Sequence, residues 1–550
     1  MPPGTEQLGN LPYLILGLYL LMLLVLSIVA YRRSHDNEVD YYLAGREQGW
    51  VVSSLTIMAT FFSSYALLGA AGMAYRDGVV FALFSLNVPF AGACIYVLGS
   101  RIRRVGQARG YVTQGDMICD YYGESTSLRL LVALVGVLYT VPYVVLQIQA
   151  GGILCRQMFP GAHAFEIGTV VLALITMGYV MIGGMRSVAW TDTVQGFLLM
   201  LGMLVGGAAA VAVLGGPSGF LAKLSELPHK SLSVPGTTGR WTPAVLLAVC
   251  TVAAVGSMIQ PAQWMRFYAA RSTRTLRRSA VIFAVLLTAC YLFGVMLVGL
   301  GGQALYPLTD DTGAYYRDAG GRMLPNPAVG ESPRDFDQIL VVVIKNKLPE
   351  LLGSPGAVLA TLIFVAILAA AMSTSDSNLH ATSALLTRDV YDRFVRPGAS
   401  QHERTWVGRL VIAGCTVAAL AIVLISRHSA RFDPVGMIIS MGLLAIAFAS
   451  QLIPVTLDIL FIRRGSRAGA VAGTTTGLLI VLIFSPVLPP VGGDAITDLL
   501  AHLRRMVDFG TWGLLGNALV FVAVSLFTRR PDAEHVRRFK MLTTGENKST

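Results

Sequence analysis

Residues 359–394 read LATLIFVAILAAAMSTSDSNLHATSALLTRDVYDRF. The stretch opens as an apolar helix of membrane grade and changes character at Ser373-Thr374-Ser375-Asp376-Ser377. A polar run that includes an ionisable group is costly in hydrocarbon unless protein, water or an ion meets it. Ala370, Ser373 and Thr374 fall at i, i+3 and i+4 and share one helix face. That face offers hydroxyl oxygens and the room beside a small alanine, a donor set suited to a hard cation. Hydroxyls in membrane helices also bond back to the i−4 carbonyl with no further role. The presence of Asp376 in the run points instead to an ion or substrate pathway.

Around this stretch the chain is overwhelmingly apolar. Of 550 residues, 54% are hydrophobic and 13% charged, where a soluble protein carries roughly 25% charged residues. About thirteen apolar stretches are long enough to cross a bilayer, each needing about 20 residues. The predicted fold class is therefore all-α and integral to the membrane, with no attached soluble domain. The net charge of +11 does not mark a nucleic-acid binder. With the N-terminus outside, 28 of the 42 Lys and Arg fall on one side. That asymmetry predicts an outside N-terminus and a cytoplasmic tail, RRPDAEHVRRFK, in a multi-pass protein of the cell (inner) membrane. Residues 12–31 read as a retained membrane helix and not a cleaved leader, since Arg32-Arg33 follow a long apolar run. The six cysteines are scattered and form no paired motif, which suggests packing and not a metal site or a disulfide framework. A Walker loop, an HExxH pair and a dinucleotide fingerprint are all missing from the sequence, so an enzyme is not expected and no cofactor beyond an ion is implied.

Two further segments carry interruptions. Segment 50–75 holds Thr60, Ser63, Ser64, Gly69 and Gly72; if its helix opens, the carbonyls of Ala59 and Phe62 are free to face an ion. A tight helix–helix seam would use the same small residues. Segment 242–264 is interrupted by Gly256, Ser257, Gln260 and Pro261. The two lie five segments apart, hence in opposite orientations. Matching interruptions of that kind point to an inverted-repeat transporter, with halves at about 49–215 and 242–461. Pro142 and Tyr143 in segment 129–156, and Gln451 and Pro454 in segment 433–461, suggest further kinks. Thr191-Asp192-Thr193 reads either as a helix N-cap or as a carboxylate facing an inner vestibule. The loop at 304–354 ends in a stretch suited to an interfacial helix or lid. His380 reads as a packed polar residue, and the segments at 468–487 and 510–528 as peripheral.

The pieces YYLAGREQGW (41–50), GGMRSVAWTDTVQG (183–196), QPAQWMRFYAA (260–270) and AAAMSTSDSNLHATSALLTRDVY (369–391) together resemble the sodium/solute symporter family, over roughly 40–465. The resemblance implies a leucine-transporter-like core of five plus five helices at 40–465. Around it would lie a peripheral N-terminal helix and loop at 1–39, two peripheral helices at 466–528 and a tail at 529–550. It implies a sodium site at the carbonyls of Ala59, Phe62 and Ala370 and the hydroxyls of Ser373 and Thr374. Asp192 corresponds to the family's acidic residue on the inner ion route, with Asp376 beside it. Phe61, Ser64, Tyr65, Tyr143, Ser257 and Gln260 fall on the substrate cavity.

The resemblance has departures. Proline-transporting members carry an Asp where this chain has Phe61, and Trp and Tyr where it has Ala253 and Ser257. An aromatic at position 61 is closer to members that move monocarboxylates, pantothenate or iodide. The expected activity is sodium-coupled uptake of a small organic solute, a monocarboxylate-type anion, by alternating access. A proline-like amino acid, pantothenate and a proton-coupled variant remain as alternatives. No lysine or arginine within the membrane offers itself as a carboxylate partner, so the amides at a broken helix N-terminus are the expected substitute. A channel and a kinase-linked sensor are the other classes such a sequence could serve. Discontinuous midplane helices favour alternating access over a channel, and about 20 residues after the last segment are too few for a sensor's signalling domain.

Overall fold

Backbone amides and carbonyls in hydrocarbon must be satisfied within the chain, and a helix does this segment by segment. The computed structural model describes residues 9–33, 38–159, 161–428, 438–485, 503 and 506–545. Among them the regular elements are all helices, and strand pairing is confined to isolated bridges. We number the principal helices α1 (Leu11–Arg32), α2 (Trp50–Phe61), α3 (Tyr65–Asp77), α4 (Val79–Arg109), α5 (Gln114–Tyr122), α6 (Thr126–Met158), α7 (Ala164–Val213), α8 (Pro243–Ile259) and α9 (Pro261–Ala269). The remainder are α10 (Thr273–Leu305), α11 (Ile339–Leu352), α12 (Ser354–Val395), α13 (Gln401–His428), α14 (Ile438–Ser450), α15 (Ile453–Ile462), α16 (Arg467–Phe484), α17 (Phe509–Phe527) and α18 (Ala533–Thr544).

Nine helices among the described residues are long and apolar enough to cross a membrane, and twelve spans result if each bent pair is one crossing. α7 is one of the nine, yet its 50 residues would extend about 75 Å as a straight rod, against about 30 Å of hydrocarbon. It is broken at Gly184, whose φ of 58° and ψ of −170° are not helical. A Cβ at that glycine would lie 2.9 Å from the Tyr41 ring. Reading α7 as two crossings would bring the number to the expected thirteen.

The interruptions predicted in the sequence are real breaks. α2 and α3 meet at 54°, α8 and α9 at 54°, and α14 and α15 at 45°. At the first, Phe62 turns extended (φ −93°, ψ 107°). At the second, Gln260 is extended (φ −61°, ψ 153°) because the residue before a proline is driven out of the α region. Pro261 then starts α9, where its missing N–H costs nothing. Pro142, in contrast, lies inside an uninterrupted α6.

Two further contacts brace the bundle. On the loop side of α3, the segment Pro333–Gln338 and α11 close down as a lid. A Cβ on Gly72 would be 2.8 Å from the Phe336 carbonyl oxygen, and the Asp337 carboxylate accepts from the Ile438 amide at 2.7 Å. The expected interfacial helix is thus a packed one, with Ile339 to Lys345 buried. α16 and α17, read as peripheral, pack closely on each other and reach the core: Asn517 Nδ2 donates to the Gln451 carbonyl at 2.7 Å, at the α14–α15 break.

Small residues set the helix spacing. A Cβ on Gly207 of α7 would lie 2.0 Å from the Phe293 carbonyl oxygen of α10, so the two backbones touch as small residues allow in membranes. Gly207→Ala should therefore cost about 1–3 kcal/mol by overpacking, read as a lower unfolding midpoint in detergent. Gly178→Ala, where a Cβ meets nothing within 4 Å, should show no such loss.

Candidate functional site

The end of α2 supplies the first half of the site. A helix terminus leaves its last carbonyls without intrahelical partners. Here the Phe62 amide still reaches the Met58 carbonyl at 2.7 Å, and the carbonyls that follow are freed by the turn at Phe62. α12 supplies the answer. Ser373 Oγ donates to the Ala59 carbonyl at 3.2 Å and to the Ala370 carbonyl at 3.1 Å. Thr374 Oγ1 donates to the same Ala59 carbonyl at 3.0 Å. Four of the five predicted oxygen donors are thereby joined in one cluster, sealed from solvent. The fifth, Phe62, sits at the break itself, and its carbonyl takes no part in these contacts. Among the described residues no group of three or more His, Cys, Asp or Glu could hold a metal ion.

A charged layer lies one helical turn further along α12. Asp192 is not a helix cap: α7 runs on past it from the Gly184 break, and Asp192 is fully buried. The sequence reading finds no Lys or Arg within the membrane to partner a solute carboxylate; Arg266 is buried in the interior, but it pairs with a carboxylate of the chain itself and does not line the cavity beyond Thr60. Its Nη2 donates to Asp192 Oδ2 at 2.7 Å, its Nε to Thr56 Oγ1 at 2.9 Å, and its Nη1 to the Ala262 carbonyl at 3.0 Å. It also contacts the Ser377 hydroxyl. Arg266 is 1% exposed. The apolar run ends near residue 264, but the Gln260–Pro261 break restarts the helix and carries Arg266 into the interior. The clue in the sequence was a proline break with a charged residue on the helix it begins.

Asp376 has no such cation. Its Oδ2 accepts from Tyr179 OH at 2.8 Å and its Oδ1 from Ser377 Oγ at 3.1 Å. Among the described residues it makes no salt bridge. Two buried carboxyl groups face one guanidinium, so among the described residues Asp376 is left without a cationic partner. His380 is buried near Tyr41 and Tyr42, with ring centroids at 5.4 and 5.6 Å, a packed position as expected.

On the other side of Thr60 is a small cavity of about 20 Å³. Phe61, Tyr65, Tyr143, Ser257 and Gln260 line it, as read from the sequence. Ser64 does not; its hydroxyl donates to Gln147 Oε1 at 2.5 Å. Gln260 Oε1 accepts from the Ala262 amide at 2.9 Å and so caps α9. Tyr139, Tyr291 and Asn87 also line the cavity, and nothing in the sequence singled them out. None of the described lining residues is an Asp, Glu, Lys, Arg or His.

Helices broken in pairs around a buried oxygen cluster, with a neutral cavity beside it, make an inverted-repeat secondary transporter of leucine-transporter-like fold. The profile of the sodium:solute symporter family matches residues 41–477, and the chain belongs to that family. It is similar to the sodium/proline symporter of Haemophilus influenzae, at 26% identity over 95% of each chain. The sodium/proline symporter of Escherichia coli K12 is 28% identical over 85% of this chain and 86% of its own. In fold, the chain is similar to a sodium-coupled sialic acid symporter in a substrate-bound outward-open state (TM-score 0.73, 18% identity, 96% of this chain and 99% of that one). A nucleobase-cation-symport-1 family transporter in a closed conformation shares the fold more loosely (TM-score 0.52, 15% identity, 91% and 98%).

The charge count predicts an asymmetry. Arg266→Gln leaves two buried carboxylates and no cation, and should cost about 3–5 kcal/mol, as removal of one partner from a buried pair does. Asp192→Asn leaves one carboxylate and one guanidinium and should cost clearly less. Unfolding midpoints in detergent compare the two; equal losses would contradict the count.

Proposed function

We propose that this sodium-coupled symporter imports a small monocarboxylate-type anion by alternating access, with the ion bound between α2 and α12. The observation that carries the reading is the convergence of the Ser373 and Thr374 hydroxyls on the Ala59 carbonyl. Each hydroxyl now donates its proton to that oxygen. When Na+ enters, the hydroxyls rotate and present lone pairs, so three oxygens already in place become ligands, and the Ala370 and Phe62 carbonyls complete the shell. Hard oxygen donors of this kind suit Na+. Asp376, which has no cationic partner among the described residues, and Asp192, held by Arg266, border the ion's route. Sodium thus fastens α12 to the end of α2. Phe62 belongs both to the ion shell and to the cavity wall, so filling one site shapes the other. The inverted halves at about 49–215 and 242–461, an outside N-terminus and a cytoplasmic tail belong to the same reading.

The names of the similar symporters favour a second solute, proline. A zwitterion carries an ammonium as well as a carboxylate, and the cavity lining has no carboxylate to meet it. An anion is the better match to such a wall. Proteoliposomes loaded with purified protein distinguish these readings: pyruvate, lactate, acetate and proline, each radiolabelled, are offered with a sodium gradient, a proton gradient or neither. The expected outcome is sodium-driven uptake of a carboxylate over proline. Uptake of every solute alike with and without the gradients would reject coupling.

Thr374→Ala removes one donor from the ion shell. It should weaken apparent sodium affinity by roughly five- to thirtyfold, the equivalent of about 1–2 kcal/mol, with protein abundance little changed. An unaltered sodium dependence would speak against this site.

A further inference from the structure

The polar atoms of the cavity wall divide into those already engaged and those left open. Thr60 Oγ1 donates to the Thr56 carbonyl at 2.8 Å, Ser257 Oγ to the Ala254 carbonyl at 3.1 Å, and Asn87 Nδ2 to the Phe84 carbonyl. The Gln260 side-chain oxygen caps α9. Tyr143 OH lies 3.5 Å from Ser63 Oγ. Tyr139 OH is met by the Asn378 side chain, and two hydroxyls remain, on Tyr65 and Tyr291. Their oxygens are buried and without a hydrogen-bond partner, and the two residues are 8% and 2% exposed. Behind Ser64, Gln147 Nε2 is a third buried donor with no partner.

Both rings are fixed. A Cβ on Gly442 would sit 2.3 Å from the Tyr65 ring, and the Tyr291 ring stands edge-on to Phe62 at 5.9 Å. The phenols can turn their O–H bonds but cannot withdraw. Leaving a buried donor unmet is expensive, so the wall has its polarity chosen in advance. It offers protons to a guest and asks for lone pairs in return. A carboxylate brings two oxygens with about four acceptor sites and no donor. Hydrogen bonds from phenols to an anionic oxygen are shorter and stronger than neutral ones. A phenol oxygen also accepts, so an ammonium or a polyol hydroxyl meets only neutral lone pairs here, whereas a carboxylate takes up the phenol protons in charge-assisted bonds.

We infer that Tyr65 and Tyr291 are the specificity-determining residues of the cavity, their hydroxyls donating to the carboxylate of the transported anion. The inference rests on the anion reading above and adds to it the groups that enforce it. It also assigns a place to the carboxylate: on the wall formed by the start of α3 and the middle of α10, with the apolar body of the solute against Phe61 and Phe62. Arg266 and the charged layer then have no part in holding the solute.

Tyr65→Phe and Tyr291→Phe test this, because each keeps the ring and its packing and removes one oxygen. In proteoliposomes under a sodium gradient, the KM for pyruvate should rise at least fivefold in each variant, with half-saturating sodium unchanged. In the unmodified protein, acetate should compete with pyruvate uptake and acetamide should not. In the double variant that preference should fall at least tenfold. Unfolding midpoints without solute should stay level or rise, since an unmet donor has been removed. Sodium-driven pyruvate uptake with unchanged KM and an intact acetate preference in both variants would overturn the assignment and leave the transport reading standing. Sodium-driven uptake of proline with no uptake of pyruvate, lactate or acetate would overturn the anion reading and this assignment with it.

Discussion

A carbonyl that ends a helix inside hydrocarbon must find a donor or a cation, and the protein is arranged around the one at Ala59. α2 stops in the membrane interior because Phe62 turns extended. The open carbonyl is met by two hydroxyls from a helix more than three hundred residues away in sequence. Both contacts are ordinary neutral hydrogen bonds, worth little net. A stronger partner would weld α2 to α12, and none at all would make the break untenable. The charged layer adjoins this junction through Thr56 and Ser377, one turn away on each helix.

The charged layer shows how a membrane protein can keep an arginine in its interior. Arg266 spends its donors on Asp192, Thr56, Ser377 and the first turn of its own helix. It therefore links four helices, α2, α7, α9 and α12, at a single point. A buried pair of this kind is weak as a source of stability and strong as a source of registry. It fixes how far the half-helix α9 can slide against α12, and it does so beside a carboxylate that has been left without a cation.

Much of this could be read in the sequence. The hydroxyl run at 373–377 stood out because polar residues in an apolar helix are conspicuous, and the breaks near 62, 260 and 451 because Ser, Gly and Pro cluster there. Helical spacing alone put Ala370, Ser373 and Thr374 on one face. The missed features share a cause. Arg266 follows the end of an apolar window, and a window average cannot see that a proline break restarts the span. Tyr291 is an aromatic in a hydrophobic run and differs from a packing residue only in where its hydroxyl ends up, which is a tertiary fact. Of the two readings left open for Asp192, the cap fails for the same kind of reason: Thr191-Asp192-Thr193 has the composition of a cap, but the break that begins the helical half lies eight residues earlier, at Gly184.

The bond from Asn517 to the Gln451 carbonyl gives the outermost helices a share in the hinge. α16 and α17 expose most of their surface, and on composition alone they could vary freely. Yet Asn517 holds the backbone of α14 where that helix gives way to α15, and a Cβ on Gly477 would lie 2.1 Å from the Gln451 side-chain oxygen. The annulus of lipid around this pair is thereby in mechanical contact with a pivot of the core. A force on this outer helix pair would reach the bend between α14 and α15 through one amide.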